Sequence, residues 1–175
     1  MLSLEALWPS TPPLFANIHV QGLTTNSRDV QQGDVFIALQ GLRHDARAFI
    51  PQAIAQGAVA VLCQAEGELI TQDGVPIIAI PQLPQLLGEI AARFYQQPSQ
   101  QFKVVAVTGT NGKTSSAQLL AHACHYLGIK SAVLGTLGNG IVGDIEPSSH
   151  TTLEAVQLQK KLASFRDENV QVVAL

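Results

Sequence analysis

The chain of 175 residues has only two cysteines, one methionine and one tryptophan. Two thiols are too few for a disulfide-stapled scaffold or a multi-cysteine metal site. Cys63 lies in an apolar strand-like run and Cys124 on the apolar stripe of a helical segment, so both read as small buried hydrophobes. Long apolar runs are also missing: the longest, Ala58 to Cys63, is far short of the roughly 20 residues that span a bilayer. The first residues do not join a basic stretch to an apolar one as a secretory signal does, so a cytoplasmic protein with no membrane partner is expected. Aromatic content of 5% and a net charge of -3 supply neither the stacking rings nor the basic surface that nucleic acid rewards. Five histidines are scattered; His122 and His125 fall three apart on one predicted helix, but no second ligand pair accompanies them. What the chain does have is apolar content, 46%, ample for a core in one large or two small domains.

The most informative segment is Val104-Val105-Ala106-Val107-Thr108-Gly109-Thr110-Asn111-Gly112-Lys113-Thr114-Ser115-Ser116, an apolar strand running into a glycine-paired loop and a helix start. Gly109 and Gly112 permit positive φ and turn backbone N–H groups inward, while the helix offers free amides and a partial positive charge to an anion. Lys113 is placed to reach terminal phosphates, and Thr114 supplies a hydroxyl of the kind that ligates Mg²⁺. The full phosphate-loop pattern has a glycine where this chain has Val107, so the loop is a shortened variant. A plain strand-to-helix turn with a solvated Lys113 is the alternative; the order strand, loop, Lys-Thr, helix favours the phosphate site. Ala117, Leu120, Ala121, Cys124 and Leu127 recur at helical spacing after the loop, and Gly128 stops the helix.

The periodicities divide the chain into two α/β halves. The first holds strands at Asp34 to Leu39, Ala58 to Cys63 and Val75 to Ile80, a short helical stripe at Ala48 to Ala55, and a helix with Leu83, Leu86, Leu87, Ile90, Ala91 and Phe94 on one face. The polar, proline-containing Gln96 to Gln101 then reads as a linker, giving domains at 1–97 and 102–175. In the second half, strands at Lys103 to Val107, Ser131 to Gly135 and Val170 to Leu175 alternate with helices, the last over Leu153 to Phe165, with a glycine-rich stretch between. This alternation predicts a parallel sheet with ligands beyond the carboxyl ends of its strands. Three strands make an incomplete sheet, so uncovered apolar surface and self-association are expected.

On these residues the chain resembles the Mur ligases, most closely the MurE type. The markers are Thr24-Thr25-Asn26-Ser27-Arg28, Gly33 through Leu39, Gly41 through Phe49, the Gly109 to Thr114 loop, Gly135 through Gly140, and Thr151-Thr152. The resemblance implies an amino-terminal substrate domain followed by the first part of a central ATPase domain. The activity it implies is ATP- and Mg²⁺-dependent joining of a diamino acid, meso-diaminopimelate by closeness of the Gly135 to Gly140 stretch, to UDP-MurNAc-L-Ala-D-Glu through an acyl phosphate. Thr108, Gly109, Thr110, Asn111, Gly112, Lys113 and Thr114 would hold ATP, with Lys113 on the β and γ phosphates and Thr114 on Mg²⁺.

Carried over by position, Thr25 and Ser27 would contact the uridine end of the substrate. Leu42, Arg43 and His44 would line its diphosphate loop, and Asn111, Thr151 and Thr152 would touch the sugar-peptide part. A guanidinium such as that of Arg43 suits a diphosphate because it donates two parallel hydrogen bonds, though a solvated loop arginine is the simpler alternative. Ser27 equally fits a turn cap. Thr151-Thr152-Leu153-Glu154 fits a capping box that leaves Thr152 free for ligand. Asn26 replaces the aspartate usual before Ser-Arg, and Leu153 replaces a common proline. The family's Glu-Val-Ser-Ser-His segment, its carbamylated lysine and its amino-acid-binding domain are expected after Leu175, so the resemblance implies an amino-terminal fragment without turnover. A self-standing nucleotide- or UDP-sugar-binding module and a folylpolyglutamate synthase-like ligase are the competing readings.

Overall fold

The computed structural model describes residues 2–41, 45–67, 69–147 and 153–175. They divide into two units, Met1–Phe94 and Tyr95–Leu175.

The first unit opens with β1 (Leu2–Ser3) and α1 (Leu4–Leu7), whose first turn is capped by the Ser3 hydroxyl accepting from the Ala6 N–H. β2 (His19–Val20) pairs antiparallel with β1. β3 (Gly22–Thr24), β4 (Asp34–Ala38), α2 (Ile50–Ala55), β5 (Ala60–Cys63), β6 (Ile70–Gln72), β7 (Val75–Ala79) and α3 (Leu83–Phe94) follow. The sheet runs β3-β4-β5-β7-β6, parallel throughout except for the β6–β7 hairpin. Phe36 and Ala38 pack with Val61, Cys63, Ile50 and Ala53 on one face, while Val35 and Ile37, pointing the other way along β4, are also fully buried. Both faces are therefore covered, which is why β4 and β5 read as continuous apolar runs rather than alternating ones. Pro51 sits in the first turn of α2, where its missing N–H costs no bond; a 3-10 turn over Ala46–Phe49 precedes it. On α3 the buried side chains Leu83, Leu87, Ile90 and Ala91 follow the helical period predicted for them.

The second unit contains β8 (Lys103–Val105), α4 (Lys113–Tyr126), β9 (Ser131–Gly135), β10 (Gly138–Ile141), β11 (Asp144–Glu146), α5 (Ala155–Asp167) and β12 (Val172–Ala174). Its sheet order is β11-β10-β9-β12-β8, with β12 parallel to both β8 and β9. Successive residues of β9 point to opposite faces: Val133 joins Ala117 and Ala121 of α4, and Ala132 and Leu134 join Leu162 and Phe165 of α5. Buried Ser131 is satisfied by donating to the Ala121 carbonyl at 2.7 Å, which ties β9 to α4. β8 forms the outer edge, and its Val104 and Val105 are each 38% exposed.

Several expectations change. Among the described residues the second sheet has five strands instead of three, because the glycine-rich stretch forms β10 and β11, antiparallel additions to the parallel core. Leu127, which its spacing places on the buried stripe of α4, is instead the cap residue after Tyr126 and is 74% exposed. Cys124 is half-buried rather than fully enclosed. The cap position of α5 is Glu154 rather than Thr151, with extended backbone and no side-chain capping bond, and the helix starts at Ala155. Thr151 lies outside the described residues. Among the described residues no helix is long and apolar enough to cross a membrane.

The β10–β11 contact demands glycine. A Cβ on Gly140 would lie 2.2 Å from the Asp144 carbonyl oxygen, whereas one on Gly88 in α3 would meet open space. Gly140→Ala is expected to destabilise the second unit by about 1–3 kcal/mol in urea unfolding. Gly88→Ala should stabilise the first by about 1 kcal/mol.

Candidate functional site

The strand ends build the site. Beyond β8 the Val107 N–H donates to the Leu175 carbonyl at 2.6 Å, and the Leu175 N–H to the Val105 carbonyl at 2.9 Å, so pairing with the β12 segment continues to the end of the strand. The chain then enters the exposed loop from Thr108 through Gly112. Gly112, at φ 81°, is the cap residue of α4, in a left-handed conformation that no other residue adopts without strain. No side chain caps this helix start. Its amides and the positive end of its dipole are thus open to an anion.

Lys113 is the first residue of α4, and its Nζ folds back to donate to the carbonyls of Gly109 and Thr110. Both contacts are exposed, and an ammonium can exchange such carbonyls for phosphate oxygens. One residue further, the Thr114 hydroxyl lies 2.9 Å from the Thr136 hydroxyl. Thr136 and Leu137 form the two-residue turn between β9 and β10, where Gly135 stands opposite Gly138. The turn is braced from within, the Gly135 N–H donating to Asn139 Oδ1 at 3.0 Å.

A cavity of about 240 Å³ opens here. Lys113, Thr114, Gln118 and Thr136 provide its polar groups, and Val107, Leu134, Leu153, Leu158 and Leu175 are among its apolar ones. Hydroxyl oxygens suit a hard cation, and Mg²⁺ commonly takes few protein ligands beside water and phosphate oxygens, so Thr114 fits that role. Among the described residues no group of three or more His, Cys, Asp or Glu is placed to hold a metal. Thr108, Gly109, Thr110 and Asn111 line the same exposed loop, while Thr151 and Thr152 lie outside the described residues.

In the first unit, Thr25 follows β3 and is half-buried. Asn26 does the capping considered for Ser27: its side chain accepts from the Arg28 N–H at 3.2 Å and donates to Asp29 Oδ2 at 2.9 Å. Ser27 is 7% exposed, its hydroxyl 3.4 Å from Gln52 Oε1. Leu42, Arg43 and His44 lie outside the described residues. Gln40 and Asp45 form an isolated antiparallel bridge. Arg47 grips Asp45 with Nε at 2.8 Å and Nη2 at 2.6 Å, and its Nη1 reaches the Gln64 carbonyl at 3.3 Å. The Arg47 guanidinium holds the Asp45 carboxyl below its ordinary range, and burial pushes the Cys63 thiol up.

Thr136, Asp45 and Arg47 lie within marker segments of the sequence but carry no role there; the Asp-x-Arg spacing is the local signal for the pair. Nothing local to Thr136 predicts that it meets Thr114, which is 22 residues away.

A strand, a glycine loop and a Lys-Thr helix start at the carboxyl ends of parallel strands define a phosphate-loop α/β protein. The chain belongs to the Mur ligase family: its catalytic-domain profile matches residues 19–95 and its middle-domain profile residues 107–175. The chain is 42% identical over 163 residues to a UDP-N-acetylmuramoyl-L-alanyl-D-glutamate--2,6-diaminopimelate ligase of Coxiella burnetii, covering 93% of this chain and 33% of that protein. A solved structure of a ligase with the same name superposes with a TM-score of 0.86 at 32% identity, covering 99% of this chain and 35% of that one. The MurF ligase of Thermotoga maritima, solved in complex with ADP, shares the fold, with a TM-score of 0.58 at 24% identity over 88% of this chain and 31% of its own. The chain thus spans about a third of the length of the relatives it matches.

The Asp45–Arg47 pair gives a pH signature. With its folded pKa depressed, Asp45 contributes stability that is complete above the ordinary carboxylate pKa of about 3.9 and lost as pH falls through the lowered value. Asp45→Asn should lower the melting temperature of the first unit at pH 7, and the gap from the wild type should close in acid. A gap that persists unchanged at pH 2 contradicts the assignment.

Proposed function

We propose that this chain carries the precursor-recognition and phosphate-loop units of a MurE-type ligase. The reaction is ATP-dependent addition of a diamino acid, meso-diaminopimelate, to UDP-MurNAc-L-Ala-D-Glu during cytoplasmic synthesis of peptidoglycan precursors. The observation that carries this reading is the Lys113–Thr114 helix start at the mouth of the cavity, in a chain 42% identical to a ligase with that name. In the proposed division, residues 1–97 recognise the UDP-linked substrate and residues 102–175 begin the ATP-binding domain.

The chemistry brings two polyanions together. A D-Glu carboxylate oxygen attacks the γ-phosphorus of ATP and expels ADP; the amine of the diamino acid then attacks the acyl phosphate and expels inorganic phosphate. Catalysis of such a transfer is mainly positioning and charge stabilisation. Lys113 would leave the Gly109 and Thr110 carbonyls for the β and γ phosphates, and the open amides of α4 would add their partial charge. Mg²⁺, when bound beside Thr114, neutralises phosphate charge. Thr108 through Gly112 would wrap the nucleotide. Asn111, Thr151 and Thr152 would meet the sugar-peptide part. Thr25, Ser27, Leu42, Arg43 and His44 would hold the uridine diphosphate end. The diamino-acid site and the remaining cation ligands are proposed to require residues outside this third of the ligase length.

Calorimetric titration tests the reading. Lys113→Ala should bring ATP binding below detection while leaving affinity for the UDP-linked precursor within about twofold. Equal ATP affinity in the variant would sink the phosphate role. The 175-residue chain itself should bind ATP without appreciable ligation when precursor, ATP and diaminopimelate are supplied together; sustained phosphate release coupled to ligation would overturn the proposed division.

The open edge of β8 also supports self-association, since a strand with one unpaired edge and exposed valines is a template for another strand. Light scattering should give a mass above the monomer that rises with concentration, and Val105→Lys should restore the monomer.

A further inference from the structure

We propose that Thr136 is a positioning residue for the nucleotide-bound cation: it accepts the Thr114 hydroxyl proton and thereby turns the Thr114 oxygen toward the metal. The inference rests on the reading of the Gly109 to Thr114 loop as a magnesium-nucleotide site.

The two hydroxyl oxygens are 2.9 Å apart, and by geometry either one can donate. A bound cation removes that symmetry. A hydroxyl that ligates a metal presents a lone pair to it, so its proton must go to another acceptor. Thr136 Oγ1 is at bonding distance and retains its own proton for water or ligand. Thr114 therefore becomes the donor and Thr136 the acceptor. Because Mg²⁺ commonly takes only one or two side chains in nucleotide sites, the orientation of a single hydroxyl matters.

Thr136 is well placed for this task. It sits on a two-residue turn whose flanking residues pair across β9 and β10, and the Asn139 bond to the Gly135 N–H limits movement of the turn. Both threonines line the cavity at the phosphate loop. Thr136 is exposed and belongs to neither buried cluster described for this unit, so its removal leaves the core intact.

The experiment measures ATP affinity with and without Mg²⁺ for the wild type, Thr136→Val and Thr136→Ser. The expected wild-type result is tighter binding with Mg²⁺. In Thr136→Val, metal-free affinity should stay within about twofold of the wild type and the Mg²⁺-dependent tightening should shrink about tenfold, the effect of losing one hydrogen bond in a charged network. Thr136→Ser should restore it. Full Mg²⁺ tightening in Thr136→Val, an equal loss with and without metal, or no rescue by serine would each overturn the proposal. If the wild type binds no nucleotide under either condition, the loop reading falls and this inference falls with it. A magnesium effect in the wild type that Thr136→Val leaves untouched defeats the positioning role alone.

Discussion

The pairing of β12 with both β8 and β9 is the constraint on which the second unit depends. Val172 stands opposite Lys103 on one side and Ser131 on the other, so three parallel strands share one level and finish at one edge of the sheet. Val107, Leu175, Gly135 and Thr136 consequently border a common cavity. A slip of one residue would move a strand by about 3.3 Å and reverse which face each side chain meets. Val173 would then leave the α5 cluster and Ala174 the α4 cluster, and the hydroxyl pair at the strand ends would part. The register that fills the core is thus also the register that assembles the site.

Small side chains make this compatible with a helix close to the sheet. Ala117 and Ala121 are the buried residues of α4, and the Ser131 hydroxyl meets the Ala121 carbonyl directly. α4 is thereby held where its first turn faces the strand ends. In the first unit the Gln40–Asp45 bridge joins the described residues on either side of positions 42–44, and the Asp45–Arg47 fork holds one side of it.

Much of this architecture is readable from periodicity. The helix over Leu83 to Phe94 and the strands at Asp34, Ala60 and Val75 lie where apolar spacing places them, because each buries a broad face against neighbours. β10 and β11 escape such a reading: Gly138 and Gly140 offer no side chain to alternate, and their strand character comes from close backbone approach. β6 is short and exposed, but its Asp73-Gly74 turn, with φ of 52° and 79°, is a recognisable hairpin signal. The Gly109 to Thr114 loop is legible because its residues act on one another locally. Thr136 is not, because its partner is brought to it only by the crossing of β8, β12 and β9.

The braced turn that carries Thr136 differs in kind from the loop it faces. Gly135, Asn139 and the β9–β10 pairing hold Thr136 before any ligand arrives, whereas the Gly109 to Gly112 loop is exposed and contains two backbone positions with wide conformational choice. The entropy lost on binding an anion should therefore fall mostly on the loop, with the turn serving as a fixed reference. On the proposed reading, stiffening the loop would raise anion affinity without adding a contact, and loosening the turn would blur the proposed cation placement without changing the loop.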